Sequence, residues 1–477
     1  MSSIGFYPDD EAVLDGNGLQ LLPVCRQTEN HPSGRPMVPR DRLAADCCAL
    51  QPNGTNSGFA TCIKKRILRP VLYMSLRNLP FASDPYRRSG TSKVPMFIEN
   101  ARNLFAIPKD VTYLNCANMA PQLKSVTQAG LGAVCAKESP WELTAADWFS
   151  GAEALRALAA RLLDVETDGI ALVPAVSYGI AVAAANLPVS PKQTIVLLDQ
   201  EFPSNVYAWR ELSRRSGARI ITVKRTEGSS WTDSLENAID DKTAIVAAPQ
   251  CHWTDGSNVD LERIGKRVRK VGAALVIDAS QSLGAYRLDL GRVQPDFLVA
   301  VGYKWLLGPY GLGYLYVAAK WRESGVPLEQ SWLTRAGSED FTRLVDYRDE
   351  YRTGARRFDM GEFPQFVLVP MAMAALRQIL VWRVSNIQET IAALTVRIGE
   401  YAQDEGYAVL PQDQRCGHMI GIRHHRGIPA GLATILKEAR VFVSIRGDSI
   451  RIAPHVYNWA ADVDRLFEVL RGAHVGA

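Results

Sequence analysis

Two residues suited to chemistry stand just beyond short apolar runs. Asp278 follows Ala273-Ala-Leu-Val-Ile, and Lys304 follows Phe297-Leu-Val-Ala-Val by way of Gly302-Tyr303. A carboxylate in such a place can hold a proton on a heterocyclic nitrogen, and a partly desolvated lysine amine is a nucleophile toward a carbonyl. Three more run ends carry groups of a complementary kind. Ala175-Val176-Ser177-Tyr178-Gly179 passes through small residues into an apolar helical stretch. The free amides of a helix start attract an anion, and Ser177 adds a hydroxyl. Asp199-Gln-Glu201-Phe202-Pro203-Ser204-Asn205 offers Phe202 as a ring that can stack on a planar ligand. Gln250-Cys251-His252-Trp253-Thr254-Asp255-Gly256 is dense in hydrogen-bonding and aromatic groups for a loop. Each also has a plainer reading. Asp278 caps a turn, Lys304 is a surface amine, Ser177 is a helix cap and Phe202 fills a core.

These groups meet only if the runs are strands of one sheet. Seven runs, starting at Gly169, Thr194, Ala218, Thr243, Ala273, Asp296 and Gly313, alternate with amphipathic segments. That is the α/β pattern of a mainly parallel seven-stranded sheet with flanking helices. Between the fourth and fifth runs, Asp260 can cap a crossover helix with Leu261, Ile264, Val268 and Val271 on one face. Open sheets of this class bind ligands beyond the carboxyl ends of their strands, where the groups above stand. Pyridoxal phosphate needs an amine, an anion for its pyridine nitrogen and donors for its phosphate. Lys304, as a Schiff base, Asp278 and the Val176-Ser177 turn supply them.

After Gly361 the strand rhythm gives way to helical spacing at Ile387, Ile391, Leu394 and Ile398, and at Val463, Leu466, Phe467 and Leu470. The expected division is an irregular, disordered extension over 1–95, an N-terminal segment and large domain over 96–360, and a smaller C-terminal α+β domain over 361–477. Met74 and Met96 both precede plausible chain starts, so the extension is also open to being an artefact of start-site choice.

Composition narrows the partners. With 477 residues, 47% hydrophobic and 22% charged, the chain can bury a large core, and a formal charge of +4 implies neither nucleic acid nor an anionic membrane. No stretch reads as long and apolar enough to span a bilayer, and no signal segment follows Met1. A small-molecule substrate and the cytoplasm follow by elimination. Eight cysteines without C-x-x-C spacing indicate neither a disulfide scaffold nor a zinc ribbon. Gly308-Pro-Tyr-Gly311-Leu-Gly313 leads into a strand, the wrong context for a dinucleotide loop. His418, His424 and His425 are close in sequence, but a strand between them would turn the adjacent pair to opposite sides, so no metal site is expected.

Taken together, the motifs resemble the class V aminotransferase family of fold-type-I pyridoxal-phosphate enzymes, which includes cysteine desulfurases, kynureninases and isopenicillin-N-epimerase-like proteins. The resemblance covers roughly residues 96–477. It rests most on Val276-Ile-Asp278-Ala-Ser-Gln281, then Gly302-Tyr303-Lys304-Trp305, then Gly308-Pro309-Tyr-Gly311-Leu-Gly313. The resemblance implies that Lys304 anchors the cofactor and shuttles a proton, that Asp278 pairs with the pyridine nitrogen, that Gln281 contacts the phenolic oxygen and that Tyr303 reaches the phosphate. Val176-Ser177 matches the phosphate-binding helix start, although Val176 lacks the hydroxyl common there. Trp253 joins Phe202 among the implied cofactor contacts. Arg357-Phe358-Asp359-Met360-Gly361-Glu362 resembles a segment that approaches the cofactor across a dimer interface, which implies a homodimer and a role for Gly361. Ile450-Arg451-Ile452-Ala453-Pro454-His455 matches the strand whose arginine takes the substrate carboxylate, a role suited to a planar guanidinium. Arg451 alone would also read as an ordinary solvated arginine. Cysteine desulfurases need a mobile cysteine shortly before that arginine, and 443–450 has none. Cys416 is far upstream, and Phe202-Pro203 replaces the desulfurase histidine. These departures argue against sulfur transfer. An aminotransferase, or a lyase or epimerase, is the implied enzyme, and a non-catalytic cofactor-binding protein is the reading outside catalysis.

Overall fold

The computed structural model describes residues 96–226 and 228–475. The expectations for residues 1–95 lie outside the described residues. A short strand β1 (Thr112–Tyr113) precedes the seven expected strands: β2 (Ile170–Val173), β3 (Thr194–Leu198), β4 (Arg219–Val223), β5 (Thr243–Pro249), β6 (Ala274–Asp278), β7 (Phe297–Val301) and β8 (Gly313–Val317). These seven form one sheet in the order β2-β8-β7-β6-β5-β3-β4. All pairings are parallel except those of β8, which runs antiparallel to β2 and β7. The strands read as unbroken apolar runs because helices cover both faces. Asp147–Leu163, Trp231–Ala238 and Leu261–Val271 pack on one side, Val176–Asn186 and Tyr207–Ser216 on the other.

Two local details show why these residues form these elements. The Asp260 side chain accepts from the Glu262 and Arg263 amides, both at 3.1 Å, and caps the helix expected there. At Gly179 an added Cβ would lie 2.7 Å from Val299 Cγ2, so glycine lets the helix Val176–Asn186 lie close on β7. Because β2, β3, β5, β6 and β7 share one direction, their carboxyl ends open on one edge of the sheet. The loops after them are the chemistry-bearing strings.

The C-terminal part holds β9 (Tyr407–Val409), β10 (Ile420–His424), β11 (Val441–Phe442), β12 (Ser444–Arg446) and β13 (Ser449–Ile452). Four of these make an antiparallel sheet in the order β12-β13-β10-β9, packed with the helices Val384–Asp404 and Ala460–Val475. The division differs from a cut at 360/361 in two places. The helix Leu368–Trp382 puts Val369, Ala372, Met373 and Leu376 into the core of the large sheet. In turn, β1 pairs in parallel with β11 in a separate two-stranded sheet, so the segment before residue 116 is tied to the C-terminal part. Helical periodicity reveals a buried stripe but not which partner buries it. His424 closes β10 and His425 lies beyond it, so strand alternation does not separate them and their rings stand 4.3 Å apart. Among the described residues no cluster of His, Cys, Asp and Glu is disposed to hold a metal, and no single helix is long and apolar enough to cross a membrane.

Candidate active site

A cavity of about 300 Å³ opens where β2, β3, β5, β6 and β7 end. Asp278 closes β6, and its Oδ1 accepts from the Ser280 amide at 2.9 Å. Beyond β7 the chain folds into a tight loop, with the Leu307 amide donating to Lys304 O at 3.0 Å and the Gly308 amide to Gly302 O at 2.8 Å. Leu307 adopts a left-handed φ of 56°, a conformation held by its burial. As β6 and β7 are paired neighbours, the Lys304 amine and the Asp278 carboxylate reach the same cavity. Only 7% of Lys304 and 6% of Asp278 is exposed. Burial, helped by the Arg451 cation and opposed by Asp278, lowers the Lys304 amine to about 8. Burial raises the Asp278 carboxyl, opposed by its Ser280 bonds and by Lys304.

The other expected residues divide into two sets. Val176, Ser177, Phe202, Trp253, Gln281 and Tyr303 all line the cavity. Val176 and Ser177 open their helix, whose cap position is Ala175 and whose first turn no side chain caps. Ser177 is therefore not the helix cap of the plainer reading. Lys304 Nζ lies 5.3 Å from the Phe202 ring centre and 5.9 Å from that of Tyr303. Gln281 is fixed at both ends: Nε2 donates to Ala117 O and Oε1 accepts from Trp305 Nε1, each at 3.0 Å. One amide hydrogen remains for a ligand.

Arg451 and Gly361 are not part of the cavity wall. Arg451 connects to it through Trp253, whose carbonyl accepts from Arg451 Nη1 at 2.7 Å. Gly421 makes this meeting possible. A Cβ there would lie 2.7 Å from Asp255 Cβ, so glycine lets the 250–256 loop cross β10. Arg451 is 1% exposed, its Nη2 donates to Ser444 Oγ at 3.3 Å, and its Nε has no partner. That burial excludes the solvated surface reading. Gly361 donates its amide to Glu329, and nearby Asp359 is occupied by Arg156.

Sequence reasoning missed several wall residues. Glu201, one step before Phe202, is buried in the wall; Oε1 accepts from the Phe202 amide at 2.6 Å and Oε2 is unpartnered. Burial, then the neighbouring Asp278, pushes its carboxyl up to about 8. Its position in the strand-end string was visible, but its burial was not. Tyr310 packs on Tyr303 at 4.6 Å between ring centres. Cys251 is also in the wall, beside Cys416, which is remote only in sequence.

The family described as aminotransferase class-V matches residues 142–466. The chain belongs to the class V aminotransferase family. Among curated relatives of this class V enzyme, it is 29% identical over 300 residues to an uncharacterized aminotransferase, YcbU, of Bacillus subtilis (strain 168), covering 63% of this chain and 77% of that one. It is 24% identical over 336 residues to a probable cysteine desulfurase of Methanothermobacter thermautotrophicus, covering 65% and 80%. Among solved structures, the apo cysteine desulfurase from Thermococcus onnurineus NA1 superposes with a TM-score of 0.69 at 20% identity, covering 80% of this chain and 99% of that one. This last likeness shows the shared fold. The class V family spans amino-group and sulfur chemistry on small amino-acid substrates, with pyridoxal phosphate as cofactor. The cavity fits that cofactor. The buried Asp278 carboxyl, an uncapped helix start and a desolvated amine share the same wall.

Proposed function

We propose that this class V enzyme is an aminotransferase acting on an amino-acid or amine substrate, with Lys304 as its catalytic residue. The observation that carries this reading is the buried Lys304 amine, lowered to about 8, in one cavity with the Asp278 carboxylate. Bound pyridoxal phosphate supplies an aldehyde for the amine and an electron-withdrawing ring. In this reading the Lys304 amine would hold the cofactor and would also serve as the base that moves the proton at the substrate α-carbon. Its lowered pKa keeps an unprotonated fraction near neutrality. Asp278 would hold the proton on the ring nitrogen, Phe202 and Trp253 would face the ring, and the free amide hydrogen of Gln281 would serve the phenolic oxygen. The amides at Val176 and Ser177, with Tyr303, would hold the phosphate, and Arg451 would take the substrate carboxylate. In a homodimer, Gly361 would approach the cofactor of the second protomer.

Cysteine desulfuration suits these residues less well. The 443–450 segment has no cysteine. Cys251 in the wall is buried, with its thiol pushed well above the ordinary value, which makes it a poor nucleophile.

Purified protein with added pyridoxal phosphate should show a visible absorption band that Lys304→Ala abolishes. A colourless wild-type preparation overturns the reading. Incubated with an amino-acid panel, the coloured protein should yield a keto acid and bleach stoichiometrically. Ammonia, sulfide or inverted stereochemistry instead assigns it to lyase, desulfurase or epimerase chemistry.

A further inference from the structure

One face of the C-terminal sheet carries three arginines. Arg451 of β13 is paired directly with Ser444 of β12 and Gly421 of β10, and residues opposite one another in antiparallel strands share a face. Two residues along those neighbours stand Arg446 and Arg423. Arg423 is matched by two acids, Asp448 at 3.0 Å and Asp255 at 3.2 Å. Arg446 and Arg451 have no acidic partner among the described residues. Arg446 Nη1 donates to its neighbour Ile445 O at 2.9 Å, and its Nε is buried without a partner.

Both unmatched guanidiniums engage the same residue of the cavity wall, but at different points. Arg451 is bound to the Trp253 carbonyl, while Arg446 lies over the Trp253 ring, 5.6 Å from its centre. One head is sealed and the other is half-buried. Both cations also lower the Lys304 amine. Desolvated cations without counter-charges are costly, and a bound anion offsets that cost through charge-assisted hydrogen bonds. A single carboxylate needs only one of them.

We infer that the substrate is an α-amino acid whose side chain carries a second anionic group, a carboxylate or sulfonate, with Arg451 taking the α-carboxylate and Arg446 the distal anion. This rests on the proposed reading of Lys304 and Arg451. The separate anchoring of the two heads, on a carbonyl and on a ring, is what sets them at different subsites.

The test uses the enzyme loaded with pyridoxal phosphate, titrated with L-alanine and L-norvaline against L-aspartate, L-glutamate and L-cysteate, reading Kd from the change in visible absorption. At least one dianionic amino acid should bind roughly tenfold or more tightly than the monoanionic ones. In Arg446→Gln that ratio should collapse toward one, and Arg446→Lys should restore part of it. Arg451→Gln should weaken the whole panel. Equal wild-type affinities for both classes overturn the inference, as does an Arg446→Gln variant that keeps the ratio or weakens both classes alike. The last result would mean that both arginines hold one carboxylate. A wild-type enzyme responding to no amino acid overturns the parent reading of the site, and a response to alanine alone overturns only the second-anion subsite.

Discussion

At the β2 edge of the large sheet, Arg156 and Asp359 are both fully buried and matched atom for atom. Nη2 meets Oδ2 at 2.7 Å, Nη1 meets Oδ1 at 3.1 Å, and the Leu172 amide gives Oδ1 a further bond at 2.7 Å. Glu153 extends the cluster to Arg356 at 2.7 Å and Arg352 at 3.4 Å; against the effect of burial, these arginines and Arg156 hold it at about 2. Burial raises the Asp359 carboxyl too, but Arg156 opposes it directly, whereas at the strand ends the charges lack such matched partners. Lys304 is depressed, Asp278 and Glu201 are raised, and Arg446 and Arg451 lack acids. A buried pair that is satisfied internally serves the fold, whereas buried charges left unmatched await a ligand.

The contrast breaks most visibly at Asp359. Asp359→Ala removes the bidentate acid from the fully buried Arg156, leaving it only Glu153 at 3.3 Å, and should destabilise the protein by about 3–5 kcal/mol, read as a lower denaturant midpoint. Holoenzyme should keep its visible band in buffer, since Asp359 is outside the cavity. A loss below about 1 kcal/mol would mean that the pair is not the anchor its geometry describes. Arg451→Gln should do the opposite. Removing an unmatched buried cation should leave apoprotein stability level or slightly higher, while amino-acid affinity falls by about 1.5–3 kcal/mol, roughly ten- to a hundredfold. A destabilised apoprotein with intact affinity would place Arg451 in the same class as Arg156.

The two clusters also differ in how far sequence reveals them. Strands buried on both faces are written as continuous apolar runs, so all seven sheet strands and the run-end residues Asp278, Lys304, Phe202 and Trp253 were legible. One sheet edge collects whatever follows parallel strands, which is why separate strings converged on one cavity. Arg451 was legible only through its family motif, and Arg446 not at all. Their setting depends on the β12–β13 pairing and on a loop from residues 250–256 crossing β10, where the Arg451–Trp253 contact spans 198 positions. The Arg156–Asp359 pair spans 203 positions with no local signal. The packing of the helix Leu368–Trp382 on the large sheet was not legible for the same reason: a helical stripe does not state which core it enters.

The smallest expected effect is also the most specific to the unmatched cluster. Burial and Asp278 raise the Glu201 carboxyl from 4.5 to about 8. Below pH 4.5 the folded and unfolded chains both hold this proton, and its contribution to stability is fully present. Between 4.5 and about 8 the unfolded chain has released the proton and the folded chain retains it, so stability falls as pH rises across that window. Asp278, raised in the same direction, adds slope of the same sign from its own ordinary value of 3.8 upward, and is common to wild type and variant. The readout is therefore a difference. Urea midpoints of apoprotein at pH 5 and pH 8 should fall less in Glu201→Gln than in wild type, because the amide does not titrate. A variant as pH-sensitive as wild type would mean that Glu201 is ionised throughout the window, and the carboxyl pair at this strand end would then be held apart by solvent instead of sharing a desolvated wall.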